Sequence, residues 1–372
     1  MKGLRGLKSL DKIKLILFLV IFSPTFVLAE SGTEDCELGT KLRAEGGELP
    51  LASGAQEEKF REGLKQCPSL AELHYDLGVN LAAQSRLDEA IEAFKEAAKR
   101  EPDPLFLFAV GNVLLKKGEL DQAQDEFSKL HERYPKDTRS LVGLTEVANS
   151  RQQFGKAEDF LRQAIQLDSK DPKLFFNLGV ILQKQGKFDE ALSSFEAAMD
   201  KNSDDPNTLT QVGELRLRLG RVDQANIVLE RSAILNAKDG RTWVLLASVR
   251  AKKGKKKEAM EAVEKAAEVS PDDPSVARVR GVLLSDSGSN SEGLRILSGA
   301  LNRFPKDAEL RVAYGYVLLR EKKLEEAERE FETALSIDSQ NSAAHHNLGV
   351  ILEERGQIEQ ASKHFELAGG KR

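Results

Sequence analysis

The stretch FNLGVILQKQGKFDEALSSFEAA, beginning at Phe176, returns 170 residues later as HNLGVILEERGQIEQASKHFELA, beginning at His346. The separation is five times 34, and a fixed 34-residue period marks a stacked unit. From Ala71 onward one column reads Gly78, Gly111, Thr145, Gly179, Gly213, Ala247, Gly281, Gly315 and Gly349. Twelve positions later lies a column of Ala broken once by Gly293. Four further on comes a large apolar column: Phe94, Phe127, Leu161, Phe195, Leu229, Val263, Leu297, Phe331 and Phe365. Three more residues reach a second Ala column, interrupted by Leu130 and Ser232. Apolar residues at i, i+4 and i+7 draw one stripe on a helix. The turns KKGEL, KQGKF and ERGQI split each unit into two helices, and the small columns let those helices approach closely. Units close on Pro or a polar residue, such as Pro102 or Ser169, where Pro ends one helix and Asp or Ser caps the next. One hairpin cannot bury its own stripe, so the units must stack.

This pattern resembles the tetratricopeptide repeat (TPR) family. The resemblance covers residues 71–372 as nine units, starting near 71, 104, 138, 172, 206, 240, 274, 308 and 342. It implies an all-α fold, a right-handed superhelical solenoid of antiparallel helix pairs with a concave groove. A coiled coil would show a seven-residue seam and no turn every 34 residues.

The first residues differ. A basic stretch, MKGLRGLKSLDKIK, precedes the apolar run LILFLVIF, and Val27 and Ala29 stand where a signal peptidase reads small residues. Residues 1–29 are expected to be a signal peptide; an uncleaved anchor is the rival reading, though the run is short for a span of about 20 residues. Removing them takes away five Lys/Arg and one Asp and moves the net charge from −5 to −9. Such acidity argues against a nucleic-acid partner, which calls for a basic stripe. The mature protein is expected in the periplasm or outside the cell.

Residues 30–70 form an N-terminal segment and a degenerate, irregular capping hairpin. It holds the only two cysteines, Cys36 and Cys67. In repeat register they fall at the start of the first helix and the end of the second, where an exported chain is expected to join them. Two unpaired thiols are the alternative.

No chemistry stands out. Of five histidines, His345, His346 and His364 share the last unit without convergent metal spacing, so surface or packing roles are expected and no metal or cofactor. The cluster KKGKKKE at Lys252 reads as a turn. After signal, cap and repeats no residues remain for a catalytic domain, so no enzyme is expected.

The family resemblance implies that ligands lie against the second, fifth and ninth residues of each unit. That carries partner binding to Tyr75, Leu105, Phe108, Asn112, Val142, Glu146, Phe176, Val180 and Tyr316, among others. The Lys-and-Asn carboxylate clamp of the chaperone-tail type is missing, and only Asn177 and Asn347 fit an Asn ladder. An apolar, partly aromatic N-terminal groove remains, suited to a protein or peptide segment. The expected function is an exported scaffold for protein–protein interaction, within an envelope assembly or secretion complex. A chaperone-like holdase is the alternative. The last unit, with Ile358, Phe365 and Leu367, is expected to leave an apolar edge that docks on a partner or on a second copy of the chain.

Overall fold

The computed structural model describes residues 34–369; the expected signal peptide lies outside them. Among the described residues the structure is helical throughout, with consecutive helices packed in pairs. None is long and apolar enough to cross a membrane. Contacts divide them into two compact units, 34–201 and 202–369.

The first unit contains five pairs: α1 (Glu34–Gly47) with α2 (Gly54–Gln66), α3 (Ala71–Ala83) with α4 (Leu87–Arg100), α5 (Pro104–Lys117) with α6 (Leu120–Arg133), α7 (Thr138–Ser150) with α8 (Phe154–Leu167), and α9 (Pro172–Lys184) with α10 (Phe188–Lys201). The second also contains five: α11 (Pro206–Arg218) with α12 (Val222–Leu235), α13 (Gly240–Lys252) with α14 (Lys256–Val269), α15 (Pro274–Asp286) with α16 (Asn290–Arg303), α17 (Ala308–Arg320) with α18 (Leu324–Ile337), and α19 (Ser342–Glu354) with α20 (Ile358–Leu367).

Helix starts follow capping chemistry. Asp103, Asp137, Asp171, Asp205, Asp239, Asp273, Asp307 and Asn341 precede eight of the first helices, and each side chain accepts a backbone N–H from the opening turn. Pro follows the cap at 104, 172, 206 and 274, where its missing N–H costs nothing. Inside each pair the chain reverses through a left-handed residue. Gly186 fills that position at φ 77°, whereas Ser85, Gln152 and Lys322 hold it at φ 59° to 64° against the preference of a side chain.

The large apolar column is the core. Phe94, Phe127, Leu161, Phe195, Leu229, Val263, Leu297 and Phe331 are fully buried, and only Phe365 in the last pair is partly open. Glycines face these side chains. A Cβ on Gly78 would sit 2.7 Å from the Phe94 ring, and one on Gly179 would sit 2.8 Å from Phe195.

The capping hairpin differs from expectation. The segment expected to be irregular is a regular 14-residue helix, α1. Its glycines serve close approach: a Cβ on Gly39 would lie 2.7 Å from Cβ of Cys67, and Gly46 lies under the Phe60 ring. Cys36 in the opening turn of α1 is bonded to Cys67, the residue that ends α2, with Cα atoms 5.1 Å apart. In the chain-entropy picture, closing such a loop contributes about 3–4 kcal/mol.

A staple recurs between neighbouring pairs, joining residues 27 apart. Gln84 donates to Glu57 at 3.2 Å, Arg151 to Gln124, Gln185 to Glu158 at 2.7 Å and Arg355 to Glu328 at 2.7 Å. Burial pushes Glu57 up, but hydrogen bonds from Arg61, Gln84 and Arg86 outweigh it and hold the carboxyl below its usual range. Glu158 behaves alike: burial is outweighed by Lys187 and Gln185.

Candidate functional site

Among first helices, α1 touches α3 and α5 touches α7 in the first unit, and α11, α13, α15, α17 and α19 touch in succession in the second. The residues expected to bind a partner lie on the first helices α3, α5, α7, α9 and α17.

In residues 34–201 the aromatic members have a second task. The Tyr75 ring lies 5.4 Å from Phe94 and 5.3 Å from Phe106, Phe108 lies 5.7 Å from Phe127, and Phe176 meets Phe195 edge-on at 5.2 Å. Each ring thus lids the core residue 19 positions later, in tilted geometries that suit aromatic quadrupoles. Phe108 is only 6% exposed, and Val180 and Asn112 are buried as well. These three do not present the exposed apolar surface expected of them, because neighbouring helices cover them. Tyr75, Leu105, Val142, Glu146 and Phe176 remain half-buried.

Polar groups surround this face. Arg43 of α1 donates to Asp76 of α3 at 2.6 Å. Burial still pushes the Asp76 carboxyl up, because the interior opposes its charge more than Arg43 favours it. Burial, with Asp76 and Asp103 nearby, pushes the Tyr75 phenol up to about 12, so it stays a neutral donor. Arg139 is anchored by Asp137 at 2.6 Å. The Nδ2 group of Asn112 is buried without a hydrogen-bond partner.

In residues 202–369 the same register is mixed, with Val244 and Val312 beside Thr210 and Arg278, and the His346 ring 5.6 Å from Phe365. Thr210 Oγ1 meets Ser232 Oγ at 2.8 Å and Thr242 Oγ1 at 2.7 Å, with Thr242 donating to Asp239 and Ser232 to the Pro206 carbonyl. Arg241 pairs with Glu214, while Arg241 Nε and Gln211 Oε1 are buried and unpaired. Tyr316 is tied to Asp286, its hydroxyl donating at 3.2 Å, and Arg320 pairs with the same carboxylate. In the last pair His345 and His364 converge, Nδ1 to Nδ1 at 3.0 Å, a meeting that adjacent numbering of His345 and His346 concealed. Among the described residues no group of three or more His, Cys, Asp or Glu is placed to hold a metal.

A cleft of about 770 Å³ opens on the second-helix side of the first unit, around α4. Its floor is apolar, including Leu77, Leu81, Ile91 and Leu114. Much of its rim is already paired within the chain, Lys117 with Asp88 and Glu119, and Lys129 with Glu126.

Residues 28–281 and 172–349 match the family model described as the cilia and flagella-associated protein 70 C-terminal domain, a TPR domain. No curated protein matches the chain in sequence. Among solved structures, the APC/C hetero-tetramer Cut9–Hcn1 aligns over 80% of this chain at a TM-score of 0.56 and 16% identity; the match spans 58% of that chain's length. PilF of Pseudomonas aeruginosa aligns over 60% of this chain and 96% of its own, at 0.49 and 18%. YrrB, described as a TPR protein with an unusual peptide-binding site, aligns over 50% of this chain and 96% of its own, at 0.43 and 22%.

Proposed function

Because the chain belongs to the tetratricopeptide-repeat family matched by the cilia and flagella-associated protein 70 C-terminal domain model, we propose that it is an exported binding scaffold that holds a partner segment against the first-helix face of residues 71–184. TPR domains commonly mediate protein–protein interaction. One observation carries the choice of face. Tyr75, Leu105, Val142 and Phe176 stay half-buried at two register positions across four successive pairs. A half-covered apolar row of this kind gains by burial against an extended or helical segment. Leu105 and Val142 pack on the edge of the core, but neither lids a core ring as Tyr75, Phe108 and Phe176 do.

Export rests on the N-terminal sequence and on the Cys36–Cys67 bond, which suits an oxidising compartment. A mature N-terminus at Glu30 and no titratable thiol in the native protein are the expected results of mass analysis. A chain starting at Met1 with two free thiols would remove that part of the reading.

Binding is tested by affinity capture from envelope extract with wild type and a Leu105→Ser, Val142→Ser variant, both checked by circular dichroism. A single partner held by wild type and lost by the variant supports the scaffold. Retention by the variant moves the site elsewhere. Many unfolded chains and no single partner would favour the holdase reading.

A further inference from the structure

The second helix of each pair turns a solvent face outward, and two positions on that face lie seven residues, or two turns, apart. In eight of the nine 34-residue units the first position holds a polar or charged residue, such as Asp159, Glu261 or Arg329, and none of those eight has an aliphatic side chain at the second. The exception is α12, which carries Ile227 and Ile234. They are 67% and 83% exposed, the two largest exposures of any large hydrophobic residue among those described, and Leu235 beside them is 44% exposed. Charged residues at these positions serve the fold equally well in the other units, so stacking does not call for isoleucine here. An exposed apolar stripe of this kind marks an interaction surface.

The charges within the stripe identify the occupant. Glu230 and Arg231 sit side by side midway between the two isoleucines. If a second α12 lies antiparallel across the first, with a two-fold axis passing between Glu230 and Arg231, Ile227 meets Ile234 of the second copy at both ends. Glu230 then faces Arg231 of the second copy, opposite charges on both sides of the axis. A patch whose apolar and charged positions both match under one two-fold rotation is what an isologous contact requires. An arbitrary apolar helix would satisfy the isoleucines but not this charge order.

We propose that α12 is a self-docking surface, pairing two copies of the chain through Ile227 and Ile234 with Glu230 and Arg231 as reciprocal ion pairs. Within one copy these charges are only loosely engaged. Arg250 reaches Glu230 at 3.2 Å and Arg231 reaches Asp204, all with substantially exposed heads except Arg250. Exposed pairs of this sort exchange partners at little cost. One helix against another buries less than the roughly 1,000 Å² of a lasting assembly, so the dimer is weak and dissociates in the micromolar range or above.

Sedimentation equilibrium of the purified protein over a wide concentration range is the test. The expected result is a monomer–dimer equilibrium, weakened at least about tenfold by Ile227→Glu with Ile234→Glu. The neighbouring unit carries Glu261 and Glu268 at those positions, so the variant keeps the fold. Glu230→Arg alone should weaken the dimer by placing like charges across the axis, and Glu230→Arg with Arg231→Glu should restore it. A mass that stays monomeric at all concentrations, or a dimer that the isoleucine variant leaves unchanged, overturns the proposal. Loss in Glu230→Arg without rescue in the double exchange overturns the two-fold arrangement.

Discussion

Residues 71–201 and 202–369 follow one 34-residue register but differ at its fifth position, which reads Tyr75, Phe108, Val142 and Phe176 in the first and Thr210, Val244, Arg278, Val312 and His346 in the second, where only the last ring lies on a column Phe, Phe365. In the first region, rings at the fifth position of a unit lie on the Phe of the large column. In the second, the fifth position of one unit is Thr210, and its hydroxyl joins Ser232 and Thr242 in a buried network. The comparison teaches that the register fixes where a side chain goes, not what holds it. An aromatic lid needs only shape and apolar contact. A hydroxyl network works only when every member is paired, since each unpaired buried group carries a desolvation cost.

The largest way to break the comparison is in the aromatic region. Truncating Phe108→Ala opens a cavity over Phe127 and should cost about 3–5 kcal/mol in urea unfolding. A loss under about 1 kcal/mol would mean that Phe108 is no lid. The matching cut in the polar region, Thr210→Val, should cost about 1–3 kcal/mol, because Ser232 and Thr242 lose a partner. Replacing all three hydroxyl residues by apolar ones should cost less than the sum of the single changes, since no hydroxyl is then left unpaired and only the Pro206 carbonyl and Asp239 lose a donor.

A pH titration sharpens the contrast further. Burial, and the nearby charge of His345 with Lys363, hold His364 below its ordinary value of 6.5. Its contribution is therefore fully present above 6.5 and is lost as pH falls from there toward the lower folded value. Amide exchange in α19 and α20 should accelerate over that window, while α5 to α8 hold until the carboxylates respond. Glu57 and Glu158 are held below 4.5, so their staples support the fold above that value and fail as pH drops beneath it. Uniform acceleration along the whole chain between pH 7 and 5.5 would contradict this order. The smallest effect is a gain. Lys322→Gly relieves a left-handed residue at φ 60°, and should stabilise residues 202–369 by about 0.5–1 kcal/mol, visible as a raised Tm.

Much of the fold was legible in the sequence because Gly, Ala and Phe recur where two helices must approach or fill a core. The caps were legible too, in the Asp or Asn before eight of the first helices. The site was less so. Register placed Tyr75, Phe108 and Phe176 toward a binding face but could not show that a ring there also reaches the core Phe 19 residues on. That offset was present in the sequence at 75/94, 108/127 and 176/195, and reading it required side-chain direction as well as spacing. Ser232 stood out in a column of Ala, yet its partners Thr210 and Thr242 come from other helices, and a linear pattern does not pair them. The glycines of α1 suggested an irregular cap; their role became plain only against Cys67 and Phe60, whose bulk replaces the missing side chains. The convergence of His345 and His364 was equally hidden, being set by how α19 and α20 pack.

Site-specific photo-crosslinking in the native host tests the binding account most directly. A photoreactive residue would be placed in turn at Leu105 and Val142 on first helices, and at Asp125 and Asp159 on the solvent faces of α6 and α8. The account predicts one common crosslinked partner from Leu105 and Val142 and none from Asp125 or Asp159. Crosslinks arising only from Asp125 and Asp159 would contradict it and place the partner on the second-helix side.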